Sequence, residues 1–257
     1  MIFPFITSGL YLLVCYVLTL YQNNIKDVYL TNKQYKNFIK YFSIFHNIGL
    51  TLFSLYTFVS MYNVIKDDFD PLELKNWFIN NTFNNTKMIN LCELFLYSKV
   101  WEFFDTWLIM LKGQNTILLQ KYHHFGAIWV WYIGFVYKQS PVMAMTFVNS
   151  FIHTIMYFYY LLHLFGIRLT YIKPFITLSQ LIQLTFGEYF HIKYYILPRI
   201  NIHQDAIISS IGSIYVIILI ILFINFSIKT YLKKNSLNKI ELKQNKSEIC
   251  EDIKKSL

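Results

Sequence analysis

The stretch Gln120-Lys121-Tyr122-His123-His124, running straight into the apolar segment Phe125–Tyr137, decides how this chain is read. Adjacent imidazoles at the mouth of a run hydrophobic enough for a bilayer are a rarity. Ionisable groups at that depth are costly, so they are functional candidates by default. Working outward, three more polar clusters sit inside otherwise apolar blocks: Lys99/Glu102/Asp105, Asn149/His153 and Gln180/Gln183. The pattern points to a membrane enzyme whose chemistry lies in these four clusters.

Composition supports a membrane setting. Of 257 residues, 55% are hydrophobic, 19% aromatic and only 14% charged, against about 25% charged in soluble domains. The apolar material comes in blocks of roughly 20 residues, the length that spans a bilayer. Seven are expected: about 2–21, 41–62, 88–111, 117–137, 141–163, 173–192 and 207–228. The expected fold class is therefore an all-α membrane protein with seven transmembrane helices. The first block lacks a basic start, and no small-residue cleavage site follows it, so it reads as a retained helix.

The net charge of +9 is unevenly spread. Lys26, Lys33, Lys36 and Lys40 lie between the first two blocks, and Lys112, Arg168 and Lys173 lie in short connections. Lysines 229, 233, 234, 239, 243, 246, 254 and 255 follow the last block. With seven spans all of these share one side. The positive-inside rule makes that side cytosolic and the N-terminus luminal. No nucleic-acid-binding motif accompanies the basic balance. The opposite side carries two sequons, Asn80-Asn81-Thr82 and Asn84-Asn85-Thr86, as suits a luminal loop. Cys15, Cys92 and Cys250 form neither a disulfide framework nor a zinc spacing. None has a basic neighbour to activate a thiolate.

The chain divides into a membrane domain, 1–228, and a basic tail, 229–257, poor enough in aromatics to be disordered. The tail ends Lys254-Lys255-Ser256-Leu257, which resembles a dilysine retrieval signal for the endoplasmic reticulum; in a lysine-rich tail chance is the alternative. Ser140-Pro141 marks a helix start, with a capping hydroxyl before a proline, and Pro174 marks another.

Helical spacing aligns the polar residues. Lys99, Glu102 and Asp105 recur every third residue, and Gln120, His123 and His124 stand at i, i+3 and i+4. Asn149, His153, Met156, Tyr160 and His163 follow a 4-3-4-3 seam. Thr177, Gln180 and Gln183 make a third row. Each has a bland reading: Lys99/Glu102 as a buried packing pair, Asn149, Gln180 and Gln183 as interhelical hydrogen-bonders, His123-His124 as an interfacial pair. His46, His191 and His203 read as structural. Paired imidazoles suit either metal binding or acyl chemistry. Gln-x-x-His-His resembles the last histidine box of membrane di-iron oxidases, but the seven histidines form no second box. A neutral imidazole can instead attack a thioester while a second, oriented by Glu102 or Asp105, moves protons.

Together these stretches resemble the ELO family of fatty-acid elongases. Lys99-Val100-Trp101-Glu102-Phe103-Phe104-Asp105-Thr106 matches the family's K-x-x-E-x-x-D-T, and Gln120-Lys121-Tyr122-His123-His124 its histidine box. Asn149 through Tyr160 matches N-x-x-x-H-x-x-M-Y-x-Y-Y, and Thr177 through Gln183 matches T-x-x-Q-x-x-Q. The box commonly opens with histidine; Gln120 stands there here, so position 120 is no obligatory proton carrier.

The resemblance implies six helices around an acyl tunnel closed at its luminal end, and residence in the endoplasmic reticulum. It implies condensation of malonyl-CoA with a long-chain acyl-CoA to 3-ketoacyl-CoA, CO2 and CoA, with no metal and no cofactor. His123 is the expected nucleophile, with His124 and His153 positioning substrate and moving protons; direct condensation without an acyl-enzyme is the alternative. Asn149, Gln180 and Gln183 are expected to stabilise the enolate or oxyanion. Lys112, Lys121, Arg168 and Lys173 are expected to meet CoA phosphates, and Lys99, Tyr157 and Tyr160 to face substrate. A ketoreductase, a dehydratase and an enoyl reductase are the implied partner enzymes. A non-enzymatic seven-helix carrier, receptor or scaffold and a metal-dependent lipid desaturase or hydroxylase are the competing readings.

Overall fold

Apolar runs in a bilayer have no water to satisfy their backbone groups, and helices satisfy them internally. The computed structural model describes residues 2–66, 85–198 and 204–233, and among these there is no strand. The helices are α1 (Ile2–Leu20), α2 (Gln22–Thr31), α3 (Lys33–Ile65), α4 (Thr86–Trp101) and α5 (Phe103–Met110). After these come α6 (Leu118–Val136), α7 (Ser140–Leu164), α8 (Ile172–Phe190), a π-helical turn His191–Ile196, α9 (Gln204–Ser227) and a second π-helical turn Ile228–Lys233. The sequons at Asn80 and Asn84, His203, Cys250 and the dilysine tail lie outside the described residues.

Helices fall on every one of the seven apolar blocks. Four segments are long and apolar enough to cross a membrane: Ile2–Leu20, Lys33–Ile65, Ser140–Leu164 and Ile207–Tyr231. The helices that fall short, α4–α5, α6 and α8, are those carrying Lys99, Glu102 and Asp105, the histidine pair, and the glutamines. Polar side chains lower their hydropathy for the same reason they are of interest.

Three local features depart from expectation. The third block is two helices, because the winding breaks at Glu102, where Asp105 N–H bonds the Glu102 carbonyl at 3.0 Å. The link after the first block is helical, as α2, and α3 starts at Lys33 with the Asn32 side chain accepting from Tyr35 N–H at 3.0 Å. At α7 the proline lies in the first turn, as expected. The cap position, however, is Gln139 rather than Ser140, and its side chain makes no cap bond. Pro174 stands in the first turn of α8, where its missing N–H is no loss. The end of α7 is closed by Gly166 at φ 88°, with Gly166 N–H on the His163 carbonyl and Ile167 N–H on the Leu162 carbonyl, both at 3.0 Å. Glycine takes that left-handed conformation without steric penalty.

Packing places α3, α7, α8, α9, α6 and α4 in a closed ring, each against the next and α4 back on α3. α1 lies outside it, against α5 and α6. The α6–α9 approach is close: a Cβ at Gly126 would run into the Tyr215 ring. At one end, Gln22 Nε2 donates to Asn115 Oδ1 at 2.6 Å and Tyr35 OH to the Leu111 carbonyl at 3.0 Å. These bonds tie α2 and the start of α3 to the 111–117 connection, gathering Lys26, Lys33, Lys36 and Lys112 at that end.

Candidate active site

The break at Glu102 turns the α4–α5 segment so that Lys99, Glu102 and Asp105 all face the interior of the ring. Lys99 Nζ lies 2.7 Å from Glu102 Oε1, with side chains 1% and 2% exposed. The ammonium also donates to Asn149 Oδ1 at 3.3 Å. It sits over the Phe95 and Trp131 rings, at 4.1 and 4.8 Å from their centroids. Desolvated cation–π contacts of this kind are worth about 2 kcal/mol. On the other side, His153 Nδ1 is 3.4 Å from the same Glu102 oxygen, without hydrogen-bond geometry. Thus α4 and α7 share one buried charge pair, with an imidazole beside it.

Asp105 organises a second group. His46 Nε2 meets Asp105 Oδ1 at 2.8 Å, Tyr157 OH donates to Oδ2 at 2.7 Å, and His124 Nε2 is 4.0 Å from Oδ2. The Tyr157 ring stands edge-on to His153 at 5.4 Å. Both groups therefore meet on α7. The His123 and His124 rings are 5.2 Å apart, and Tyr215 OH donates to the His123 carbonyl at 2.9 Å, fixing the start of α6 against α9. Asn149 Nδ2 reaches Gln183 Oε1 at 3.5 Å, while Gln180 Nε2 points to Met156 Sδ at 3.0 Å.

A cavity of about 870 Å³, counting the space at its open side, lies between α6, α7, α8 and α9. His123, Asn149 and Gln183 line it; most of the remaining wall is Val, Ile, Leu, Met and Trp. His123 thus reaches the cavity, while Lys99, Glu102, His124 and His153 stand behind it, buried. Gln183 Nε2 is buried without a partner.

Ligand atoms of Glu102, His123 and His124 lie within 4.8 Å of one another, the spacing a metal needs. The same carboxylate is already paired with Lys99 at 2.7 Å. A divalent cation there would be driven against an ammonium, so the donor set fits a metal poorly.

The outlying residues sit apart from this core. Gln120 is half-buried in the first turn of α6. Lys112 and Lys121 are half-buried at the same end, and burial pushes the Lys112 ammonium below its usual range. Arg168, in the turn after α7, and Lys173, in the first turn of α8, are exposed. Tyr160 is exposed on α7, its ring edge-on to Tyr157 at 6.2 Å.

Sequence reading missed His46, taken as structural, which is 1% exposed and holds Asp105. The signal was present: Ser43, His46, Asn47, Ser54 and Thr57 recur at helical spacing on one face of α3, and all are buried. It also missed a polar group around Glu188 and His191, at the far end of the cavity.

The family model that matches this chain is that of the ELO, or GNS1/SUR4, family, over residues 1–239. Among curated relatives, the chain is 29% identical to fatty acid elongase A of Dictyostelium discoideum, over 93% of this chain and 86% of that protein. It is 30% identical to fatty acid elongase sre1 of the same organism, over 93% and 89%. It is also 30% identical to the human very long chain fatty acid elongase 5, over 90% and 75%.

Proposed function

From the premise that the chain belongs to the ELO (GNS1/SUR4) family and is a fatty acid elongase, we propose that it condenses malonyl-CoA with a long-chain acyl-CoA through an acyl-histidine at His123. The observation that carries this is the position of His123, which lines the apolar cavity while Lys99, Glu102 and Asp105 do not.

The acyl chain lies in the cavity and CoA at the basic end, where Lys112, Lys121, Arg168 and Lys173 meet its phosphates. A His123 ring nitrogen attacks the thioester carbonyl; the C–N bond forms, the C–S bond breaks, and the imidazole's proton passes to the CoA thiolate. Malonyl-CoA then loses CO2, and the resulting thioester enolate attacks the acyl-imidazole carbonyl. The C–C bond forms, the C–N bond breaks, and the released imidazole recovers one proton from solvent. Splitting the reaction this way replaces one difficult step with two easier ones.

Asn149 and Gln183 line the cavity with His123 and are the donors assigned to the reacting carbonyl in this reading. A preorganised donor of this kind is typically worth about 3 kcal/mol of barrier. His153 and His124, oriented by Glu102 and Asp105, hold the proton inventory. Gln180, on Met156 rather than on the histidines, positions α8 against α7. The reading includes seven membrane crossings, a luminal N-terminus, a cytosolic C-terminus and residence in the endoplasmic reticulum, supported by the lysine distribution. It places the protein beside a ketoreductase, a dehydratase and an enoyl reductase.

The test is a condensation assay with detergent-purified protein and radiolabelled substrates. Wild type is expected to release CoA and carry an acyl adduct on His123 without malonyl-CoA, and to form 3-ketoacyl-CoA with it. His123→Ala is expected to do neither. Product from His123→Ala would remove the acyl-enzyme, and no product from folded wild type with any acyl-CoA would remove the condensation.

A further inference from the structure

The helix that meets α6 at the nucleophile is almost wholly apolar. Between Ser213 and Asn225, α9 carries a single polar side chain, Tyr215. A buried phenol usually finds a hydrogen-bond partner. The one Tyr215 finds is the main-chain carbonyl of His123, to which its OH donates at 2.9 Å. A carbonyl within a helix uses one lone pair on the amide four residues on and has a second to offer.

The seat of the Tyr215 ring is built on α6. Gly126 leaves the gap that the ring occupies, since a Cβ there would run into it. Tyr122 completes the seat, its ring stacked on Tyr215 with centroids 5.0 Å apart and planes 22° apart. The pairing is reciprocal, because Tyr122 OH donates to the Tyr215 carbonyl at 3.4 Å. One side chain of α9 therefore engages α6 just before, at and just after His123.

The His123 imidazole is not tied down in this way. Its Nδ1 is buried with no hydrogen-bond partner among the described residues, whereas His124 and His153 have carboxylate oxygens 4.0 and 3.4 Å away. With no bond at Nδ1 to aim it, the ring depends on where its main chain stands. Tyr215 and His123 line the same cavity. A reacting group must be held within about 0.5 Å of its productive geometry, and a misplacement of about 1 Å can cost about a hundredfold in rate. We infer that Tyr215 is a positioning residue of the proposed condensation: by bonding the His123 carbonyl it sets the height and rotation of α6 at the nucleophile and leaves the imidazole free to react. The inference rests on the reading of His123 as acyl carrier and adds the residue that places it.

The experiment follows CoA release and the His123 adduct in full-length, detergent-purified protein given palmitoyl-, oleoyl- or linoleoyl-CoA without malonyl-CoA. The thermal midpoint is read on the same preparations. Tyr215→Phe keeps the ring in its seat and removes only the donor. Its acylation rate at saturating acyl-CoA is expected to fall about 10- to 100-fold, with KM changed by less than about threefold and the midpoint lowered by about 2–5 °C. Tyr35→Phe removes a bond of the same kind, to the Leu111 carbonyl at 3.0 Å, away from the nucleophile. It is expected to lower the midpoint as much and to keep a rate close to that of wild type. Gly126→Ala/Tyr215→Ala gives the added methyl group room. It is expected to accumulate better than Gly126→Ala alone and still to acylate slowly, because the donor is missing. A wild-type rate in Tyr215→Phe overturns the inference, as does a rate that returns with accumulation in the double variant. An equal loss of rate in Tyr35→Phe overturns it too, reducing Tyr215 to one packing bond among several. A wild type that releases no CoA and carries no adduct with any of these acyl-CoAs removes the acyl-histidine reading, and the positioning role falls with it.

Discussion

The Lys99–Glu102 pair gives a quantitative test of how the interior is held. Its side chains are 1% and 2% exposed and its charged atoms 2.7 Å apart. Removing one partner of such a pair costs about 3–5 kcal/mol, whereas replacing both by apolar groups is neutral or stabilising. The two single variants differ in what they strand. Glu102→Gln leaves the ammonium with Asn149 Oδ1 and two aromatic faces, and the new amide oxygen still accepts, so the loss lies near about 3 kcal/mol. Lys99→Met strands a carboxylate whose Oε2 has no partner, so the loss lies near about 5 kcal/mol. At about 2–4 °C per kcal/mol for a chain of this length, Glu102→Gln lowers the thermal midpoint by about 6–12 °C and Lys99→Met by more. Lys99→Met/Glu102→Leu returns close to wild type, and with Lys99→Met and Glu102→Leu as its single variants the double-mutant cycle shows a coupling of several kcal/mol. The assay is thermal unfolding in one detergent at one scan rate, with condensation activity measured beside it. The double variant is expected to be stable and inactive, because His153 has lost the carboxylate 3.4 Å away. A double variant destabilised by the sum of the singles would refute the reasoning, since the charges would then not be compensating each other.

Asp105→Asn keeps the shape of the second group but removes the charge that His46 and Tyr157 share; kcat is expected to fall about 100-fold, and His46→Gln, which keeps a donor, should lose less. The check is kcat against KM, since a merely structural loss would appear as lower yield of active protein at unchanged kcat. Gly126→Ala drives a methyl group into the Tyr215 ring. It is expected to lose about 1–3 kcal/mol of stability, read as a lower thermal midpoint, and Tyr215→Ala in the same chain should restore room.

The site was legible wherever one helix carries it. Third- and fourth-residue spacing put Lys99, Glu102 and Asp105 on one face and His123 and His124 on another, and the structure brings both groups together. Spacing says which face a residue occupies but not which helix lies opposite, so the His46–Asp105 contact, 59 residues apart, could not be read. The same reason hid the far end of the cavity: Gln139, Glu188, His191 and Ser209 line it from different elements, and the i, i+3 spacing of Glu188 and His191 does not say what they face. The break at Glu102 was hidden for another reason. Its cause is the turn that aims three polar side chains inward, and no glycine or proline marks it. Hydropathy was least informative at α4, α6 and α8, since the polar residues of the candidate site dilute the apolar signal used to find a span.

What the fold does with charge bears on the proposal that a histidine carries the acyl group. An imidazole that attacks a thioester must be neutral, and an apolar wall favours the neutral form. A carboxylate is nevertheless needed to orient imidazoles, and burying one without a partner carries a large desolvation cost. The chain resolves the conflict by giving Glu102 a cation of its own, Lys99, one helical turn earlier. It gives Asp105 two hydrogen-bonding partners from other helices, His46 and Tyr157. In a metal-dependent hydrolase the cation at such a carboxylate would be the reagent. Here it is a side chain buried under Phe95 and Trp131 and not among the residues that line the cavity, so in the proposed reaction the nucleophile left on the wall is His123.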